Sequence, residues 1–315
     1  MPPTALLTSP EYLEHDSGPG HPECPQRLQQ VLRRLEDSGI NRELLHLPPS
    51  PAPLEALALV HSESHIERIE TLSQSGRLVP ETPDTVISPA TFSVARLASG
   101  AAIEAVDAVL RQDAANAFCL HRPPGHHAEH NQAMGFCYFN HIAVAASHLR
   151  AQHGLRRIAI IDWDVHHGNG TQHTFEESAE VFFCSIHQSP HWPFTGQPEE
   201  RGSGAGEGCT LNLPVAAGSD GSTYLRAFDE EIWPALESFK PEFLLLSAGF
   251  DAHLADPLGQ IQLDTDDFIA LTRRVKQMSA DLCQGRLVSL LEGGYDWQAT
   301  ADCIEAHLRA LLESA

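Results

Sequence analysis

Short apolar runs alternate along the chain with longer segments in which apolar residues recur at helical spacing. The runs are rich in aliphatic side chains and typical of strands buried on both faces. They predict strands at 117–120, 158–161, 181–186, 243–247 and 287–291. The periodic segments predict helices at 26–38, 62–73, 89–110, 139–153, 224–239, 266–283 and 299–312. This alternation indicates an α/β fold with a parallel sheet covered by helices on both faces.

No low-complexity linker divides the 315 residues, so residues 1–315 are predicted to form a single domain. Residues 47–53 are rich in proline and read as an extended connection. The segment 187–208 lacks periodicity and is predicted to be a long loop, which in a compact domain is usually functional. Near the N-terminus, the polar residues His15, His21 and Glu23 are expected to brace a turn, the alternative being a role in a site, which nothing in their local spacing favours.

Five of the predicted strands end in loops that carry most of the reactive side chains of the chain. In a parallel sheet, ligands bind outside the carboxyl ends of the strands. The loops are therefore predicted to converge on one site. They are residues 124–127, 162–170, 185–192, 249–251 and 292–295.

A D-x-D-x-H pattern directly after the strand at 158–161 is the best candidate for a metal site. Asp162, Asp164 and His166 are two residues apart, so an extended backbone would point their side chains the same way. Two carboxylates and one imidazole can hold Zn²⁺ with a position left open. Asp251 follows another predicted strand and is the leading candidate for the third ligand, the alternative being a role in turn formation.

Hydrolysis at such a metal also needs groups that transfer protons and stabilise developing charge. His126 and His127 follow Pro-Pro-Gly and are candidates for the base and acid, or alternatively structural residues of the loop. Tyr295, after Glu-Gly-Gly, can offer a phenol to a developing oxyanion. Metal, base and hydroxyl together predict addition of water to an amide or ester carbonyl.

Composition narrows the partners. The 42 acidic and 20 basic residues give a formal net charge of −22, which argues against nucleic acid binding. Seven cysteines without C-x-x-C spacing suggest reduced thiols and a cytoplasmic protein. The first residues show no recognisable secretion signal, and no uninterrupted apolar stretch is long enough to span a membrane.

The chain resembles the histone deacetylase family, and in particular its class II and bacterial deacetylase-like branch. The resemblance covers nearly the whole chain and rests on five specific motifs. They are HPECPQR (21–27), RPPGHHAEHNQAMGFCYFN (122–140), DWDVHHGNGTQHTF (162–175), SAGFDAHLADPLG (247–259) and LEGGYD (291–296). It implies the arginase/deacetylase fold with a mostly parallel eight-stranded sheet, and it implies hydrolysis of N-acyl amides.

The resemblance also implies roles for individual residues. It implies one Zn²⁺ per chain, with Fe²⁺ as the alternative ion, on Asp164, His166 and Asp251. It implies His127 as general base and acid, His126 as its electrostatic partner and Tyr295 as the oxyanion donor. Asp162 would orient His126, and Asn169 would contact His127. Because asparagine carries no charge, His127 should be less basic than beside a carboxylate.

By the same resemblance, a structural K⁺ or Na⁺ would bind at Asp162, Asp164, His166, Ser185 and the carbonyl of Ile186. A second such site would involve Phe175, Ser178 and Val181.

Gly135, Phe136, Trp192 and Leu258 would line the tunnel for an acylated lysine or related amine. Trp192 stands where the family usually has Phe. Leu258 stands where the polyamine-specific deacetylase has Glu, which disfavours a polyamine substrate.

Three other functions are weighed against an acyl-lysine deacetylase. One is an acetylpolyamine amidohydrolase or other small N-acyl amine hydrolase. Another is an arginase-type enzyme with two metals, but Gly168 and His253 replace two of the aspartates that it requires. A third is a binding protein without catalysis, which the retention of every catalytic position argues against.

Overall fold

The computed structural model describes residues 2–313. Eight strands form one sheet in the order β2-β1-β5-β10-β9-β6-β7-β8, and all neighbouring strands are parallel. The strands of this sheet are β1 (Thr4–Leu7), β2 (Leu45–Leu47), β5 (Asn116–Cys119), β6 (Ile158–Asp162), β7 (Val181–Gln188), β8 (Thr210–Val215), β9 (Phe243–Ala248) and β10 (Leu287–Leu291). A separate antiparallel hairpin contains β3 (Val79–Thr82) and β4 (Thr85–Ile87). The predicted α/β fold is confirmed, and the sheet is wholly rather than mostly parallel.

Helices cover both faces of the sheet. They are α1 (Pro25–Asp37), α2 (Leu54–Leu57), α3 (Glu63–Gln74), α4 (Thr91–Leu110), α5 (His141–His153), α6 (Asn169–Phe175), α7 (Gly221–Ala227), α8 (Trp233–Phe239), α9 (Thr265–Cys283) and α10 (Trp297–Leu312). Within residues 2–313, no helix has both the length and the apolar content needed to cross a bilayer.

The central strands are apolar because both of their faces are buried. Every residue of β5, β6, β9 and β10 is buried. Successive side chains point to opposite faces, so Phe118 packs in one hydrophobic cluster and Cys119 in the other. The first cluster includes residues of α1, α9 and α10, and the second includes residues of α4 and α5.

Several elements of the fold differ from those predicted from sequence. The predicted strands omit the four-residue strand β1, and also β2, the β3–β4 hairpin and β8. The two sheet-edge strands are short or only partly buried, and β3 contains Pro80, so none has the continuous apolar signature of a central strand. The predicted helix 224–239 begins at Gly221 and passes through a π-helical turn at Phe228–Ile232. Pro234 follows that turn and has no N–H for a regular helical hydrogen bond.

Sheet order brings the reactive loops together. Strands β5, β10, β9, β6 and β7 are consecutive neighbours in the sheet. Their carboxyl ends therefore form one continuous edge, and the five loops predicted to converge emerge from it side by side. The loop predicted at 185–192 begins later than expected, because β7 extends to Gln188.

A buried ionic cluster ties the N-terminal turn to this edge. Glu23 hydrogen-bonds Arg122 and Arg27, and all three side chains are buried. Burial raises the pKa of Glu23, but the charges of Arg122 and Arg27 outweigh it and hold that pKa far below its usual value. His15 Nε2 lies 3.8 Å from a Glu23 carboxylate oxygen. His21 Nδ1 accepts the Glu23 N–H, and His21 Nε2 donates to the Asp84 carbonyl, so these residues brace the turn as the sequence suggested.

Candidate active site

Asp164, His166 and Asp251 come together where β6 and β9 end. His166 Nδ1 lies 3.1 Å from Asp164 Oδ1 and 3.2 Å from Asp251 Oδ2. Both carboxylates are fully buried and the imidazole is nearly so. Burial lowers the pKa of His166, but the adjacent Asp164 and Asp251 carboxylates outweigh that effect and raise it to about 10. Binding a cation at this nitrogen must therefore displace a proton.

These three side chains fit a divalent metal ion. Ligand atoms about 2.0–2.1 Å from a tetrahedral Zn²⁺ are about 3.3 Å apart, close to the separations seen here. Asp251 Oδ2 is buried without a hydrogen bond, since His166 Nδ1 is bonded to Asp164 instead. Backbone N–H groups hold the other oxygens, with Val165 donating to Asp251 Oδ1 at 2.9 Å and Gly293 to Asp164 Oδ2 at 2.8 Å. Asp251 Oδ2 is therefore free to bind a cation, while the hydrogen bonds to the other carboxylate oxygens hold both side chains in place.

Two adjacent histidines stand beside this cluster in different electrostatic environments. His126 Nδ1 lies 2.8 Å from Asp162 Oδ2, and His127 Nδ1 lies 2.7 Å from Asn169 Oδ1. Burial lowers the pKa of His126, but Asp162 and Asp164 outweigh it and raise the pKa well above its usual value. Burial, His126 and His166 all lower the pKa of His127. Neighbouring groups with oppositely shifted pKa values are typical of an acid–base pair.

Hydrogen bonds around Asn169 determine which nitrogen of His127 is free. Asn169 Nδ2 donates to Glu129 Oε1 at 2.5 Å, which leaves Asn169 Oδ1 to accept from His127 Nδ1. The proton of neutral His127 is thereby held on Nδ1, and Nε2 keeps its lone pair. Glu129 also bonds His173, which is partly exposed. Glu129 belongs to the RPPGHHAEH motif but is not among the site residues predicted from the sequence.

We expect Glu129→Ala to lower turnover by about ten- to a hundredfold with little change in KM, because Asn169 would lose the acceptor that fixes its amide. His173→Ala is the matched control, since it leaves the Glu129–Asn169 bond intact and should stay near wild-type turnover. Steady-state kinetics of both variants check this. Equal losses in the two variants, or an unchanged kcat in Glu129→Ala, would remove Glu129 from this role.

Tyr295 follows β10 and lines the same cavity as His127 and His166. The Arg27 guanidinium lies 4.7 Å from the centre of its ring and hydrogen-bonds the Gly294 carbonyl at 2.5 Å. Asp256 accepts the Tyr295 backbone N–H at 2.6 Å. Burial raises the pKa of Tyr295 well above its usual value, so the phenol keeps its proton and can donate it in a hydrogen bond.

His127, His166 and Tyr295 line one cavity of about 250 Å³. Phe136 and Trp192 contribute aromatic walls, and Leu258 lies at the same cavity. A Cβ atom on Gly135 would lie 2.4 Å from Trp192 and 2.6 Å from His127, and the backbone there has a φ of +56°. Only glycine fits that position without displacing the wall.

Two further residues of the cavity were missed in the sequence. Asp84 lies in the turn of the hairpin that was not predicted. His191 stacks on His166, with ring centres 4.9 Å apart, and bonds the Leu258 carbonyl at 3.0 Å. The sequence predicts a loop at 187–208, which includes His191, but it does not predict that the His191 side chain lies against His166. Buried Glu292 was also not predicted as a site residue. Its carboxylate accepts hydrogen bonds from the N–H groups of Gly125 and His126.

The residues expected to hold a monovalent cation are adjacent in the sheet. Asp162 and Ser185 are partners across β6 and β7, and Ile186 follows on β7. Asp162 Oδ1 accepts the Asp164 N–H at 3.1 Å, while Ser185 Oγ bonds His187 at 2.9 Å. All three residues are buried.

The histone deacetylase domain profile matches residues 21–311. The chain belongs to the histone deacetylase family.

Relatives of this deacetylase-family protein span archaea and animals. It is 42% identical over 294 residues to a probable deacetylase of Archaeoglobus fulgidus, covering 93% of this chain and 81% of that protein. It is 39% identical over 306 residues to the polyamine deacetylase HDAC10 of Homo sapiens, covering 92% of this chain and 45% of that protein. The crystal structure of the HDA15 HD domain superposes with a TM-score of 0.94 at 34% identity, covering 99% of this chain and 88% of that one. Family and relatives support deacetylase or amidohydrolase activity.

In this deacetylase-family site, Gly168 and His253 occupy the two positions where an arginase-type enzyme has aspartate, and each has a structural role. A Cβ atom at Gly168 would lie 2.2 Å from Asp162 Oδ2. His253 Nδ1 accepts the N–H of Ala255 at 3.1 Å. Gly168 thus leaves room for the Asp162–His126 pair, and a larger acidic side chain would collide with it.

Proposed function

We propose that this chain is a zinc-dependent amidohydrolase that removes acetyl or other acyl groups from N-acylated lysine or related amines. The observation that carries the proposal is the arrangement of His166, His127 and Tyr295 around one cavity. Asp164 and Asp251 complete a donor set with oxygen and nitrogen atoms suited to Zn²⁺, with Fe²⁺ as the alternative.

When bound, the zinc ion would polarise the amide carbonyl and lower the pKa of a water molecule. His127 Nε2 would take the proton of that water, because hydrogen bonding holds the other ring proton on Nδ1. The same imidazole would then return a proton to the departing amine nitrogen. His126, kept positively charged by Asp162, would favour the negative charge that develops. Tyr295 would donate a hydrogen bond to the carbonyl oxygen as that charge grows.

A structural K⁺ or Na⁺ at Asp162, Asp164, His166, Ser185 and Ile186 is part of the same proposal. Its support is the adjacency of these buried residues on β6, β7 and the loop after β6. A cation there would offset the negative charge of the two neighbouring aspartates. We assign the protein to the cytoplasm on the basis of its free cysteines, five of which are buried.

The walls of the cavity favour an acylated lysine side chain. Phe136 and Trp192 can contact the apolar stem from two sides, and the metal site at the end fixes the depth of the acyl carbonyl. Leu258 offers no charge to a second ammonium group, which a polyamine carries and lysine in a peptide does not. The similarity to a polyamine deacetylase makes N-acetylpolyamines the alternative substrates.

We expect kcat/KM to be higher for an acetyl-lysine peptide than for N-acetylputrescine at the same ionic strength. Leu258→Glu is the matched variant, because a carboxylate at the cavity should attract the free ammonium and shift the ratio toward the polyamine. Release of acetate from both substrates measures the two constants. A clear advantage for N-acetylputrescine in the wild-type enzyme would make the protein an acetylpolyamine amidohydrolase.

A further inference from the structure

A second group of metal-binding side chains lies on the outer surface where α4 packs against α5. Asp107 is near the end of α4, and His148 and His153 are in the last two turns of α5. Asp107 Oδ1 lies 2.9 Å from His148 Nε2 and 2.7 Å from His153 Nε2. We propose that these three residues form a second site for a borderline divalent ion such as Zn²⁺ or Ni²⁺, separate from the catalytic centre.

The chemistry of the three donors suits such an ion. Imidazole nitrogen binds Zn²⁺, Ni²⁺ and Cu²⁺ well, and a carboxylate adds charge neutralisation. Both Nε2 atoms bond the same carboxylate oxygen, and one ligand atom from each of the three residues lies within 4.8 Å of the others, so three donors are already gathered and water can complete the coordination. A neutral imidazole can move its proton from Nε2 to Nδ1, so both rings can offer Nε2 lone pairs without changing charge.

The Asp107 carboxylate is available to a metal ion, because within residues 2–313 it forms ion pairs only with the two histidines. Arg111, which directly follows α4, pairs with Glu104 and Asp113 instead. The side chains of His148 and His153 are 14% and 33% exposed, so an ion can reach the site while its ligands remain partly ordered by packing.

The topology separates this site from the catalytic one. α4 leads into the start of β5, and α5 leads into the start of β6. The ends of these helices therefore lie at the amino edge of the sheet, whereas the catalytic loops follow its carboxyl edge. An ion here would link α4 to α5 and would not contact the catalytic site. It would also raise the metal content to two per chain in an enzyme with a one-metal catalytic centre.

The test is a calorimetric titration of chelator-treated protein with Zn²⁺ alone. Wild-type protein should bind two ions per chain in a tighter and a weaker step. His153→Ala and Asp107→Asn should each lose the weaker step and keep the tighter one, with deacetylation rates within twofold of wild type. Asp251→Asn should show the reverse, losing the tighter step only. His46→Ala removes an exposed histidine whose Nε2 bonds the Asn41 carbonyl, and should change neither step.

A single binding step in wild-type protein, or a weaker step that persists in both His153→Ala and Asp107→Asn, overturns the second site. Loss of the weaker step in His46→Ala also overturns it, because binding would then be a general property of surface histidines. Thermal unfolding gives an independent readout. In protein that already holds one zinc ion per chain at the catalytic site, further Zn²⁺ should raise the Tm of the wild type and leave the Tm of His153→Ala unchanged. Equal shifts in the two proteins would contradict the second site.

Discussion

Replacing Asp251 with alanine is expected to abolish both catalysis and metal binding at the catalytic site. The substitution leaves two of three protein ligands and removes one of the charges that favour a cation. Loss of the metal would cost several kcal/mol of transition-state stabilisation, or about three or more orders of magnitude in turnover at 1.36 kcal/mol per tenfold. Metal analysis of purified variant protein and steady-state kinetics measure the two effects.

The variant Asp251→Asn distinguishes loss of metal binding from loss of the folded structure. Asp251 Oδ1 accepts the Val165 N–H, and asparagine can keep that acceptor while losing the charge. Asp281→Ala, which removes an exposed carboxylate on α9, is the neutral control. Near-stoichiometric zinc with unchanged affinity at the tighter site of both Asp251 variants would exclude this carboxylate from the coordination sphere.

Tyr295→Phe is expected to fold and bind metal normally but to lose about a hundredfold or more in turnover, as removal of an oxyanion donor does. The phenyl ring would keep its contacts with Arg27 and Phe136, whose ring centre lies 5.8 Å away. Since the hydroxyl acts as charge develops, KM should change by less than a few-fold. Turnover within a few-fold of wild type would mean that another group stabilises the oxyanion.

Central strands and their loops could be predicted because the physical signal is local. Ile158–Asp162 is a continuous buried run that ends abruptly in charged residues, and parallel order then brings its loop beside those of the neighbouring strands. The edge strand Thr210–Val215 gives no comparable signal, since its half-exposed residues and Pro214 resemble a loop. Pairing with β7 determines its conformation, and that pairing cannot be read from its own residues.

The supporting residues of the site were harder to predict because their partners are distant in sequence. Arg27 reaches the carbonyls of Glu292 and Gly294 across more than 260 positions, and Glu292 reaches back to the His126 loop. Nothing in the local spacing around Arg27 or Glu292 indicates those contacts. Glu129 is closer, but its importance depends on the amide orientation of Asn169, which only the surrounding hydrogen bonds determine.

The central claim is that one metal ion at Asp164, His166 and Asp251 supports amide hydrolysis. Its most direct test is the stepwise return of Zn²⁺ to chelator-treated enzyme while acetate and free lysine are measured from an acetyl-lysine peptide. We predict no activity without metal, equal amounts of the two products, and a rate that reaches its plateau at one zinc per chain, before the weaker site fills. Full activity in the metal-free protein, or a rate that rises in proportion up to two zinc ions per chain, would contradict the claim.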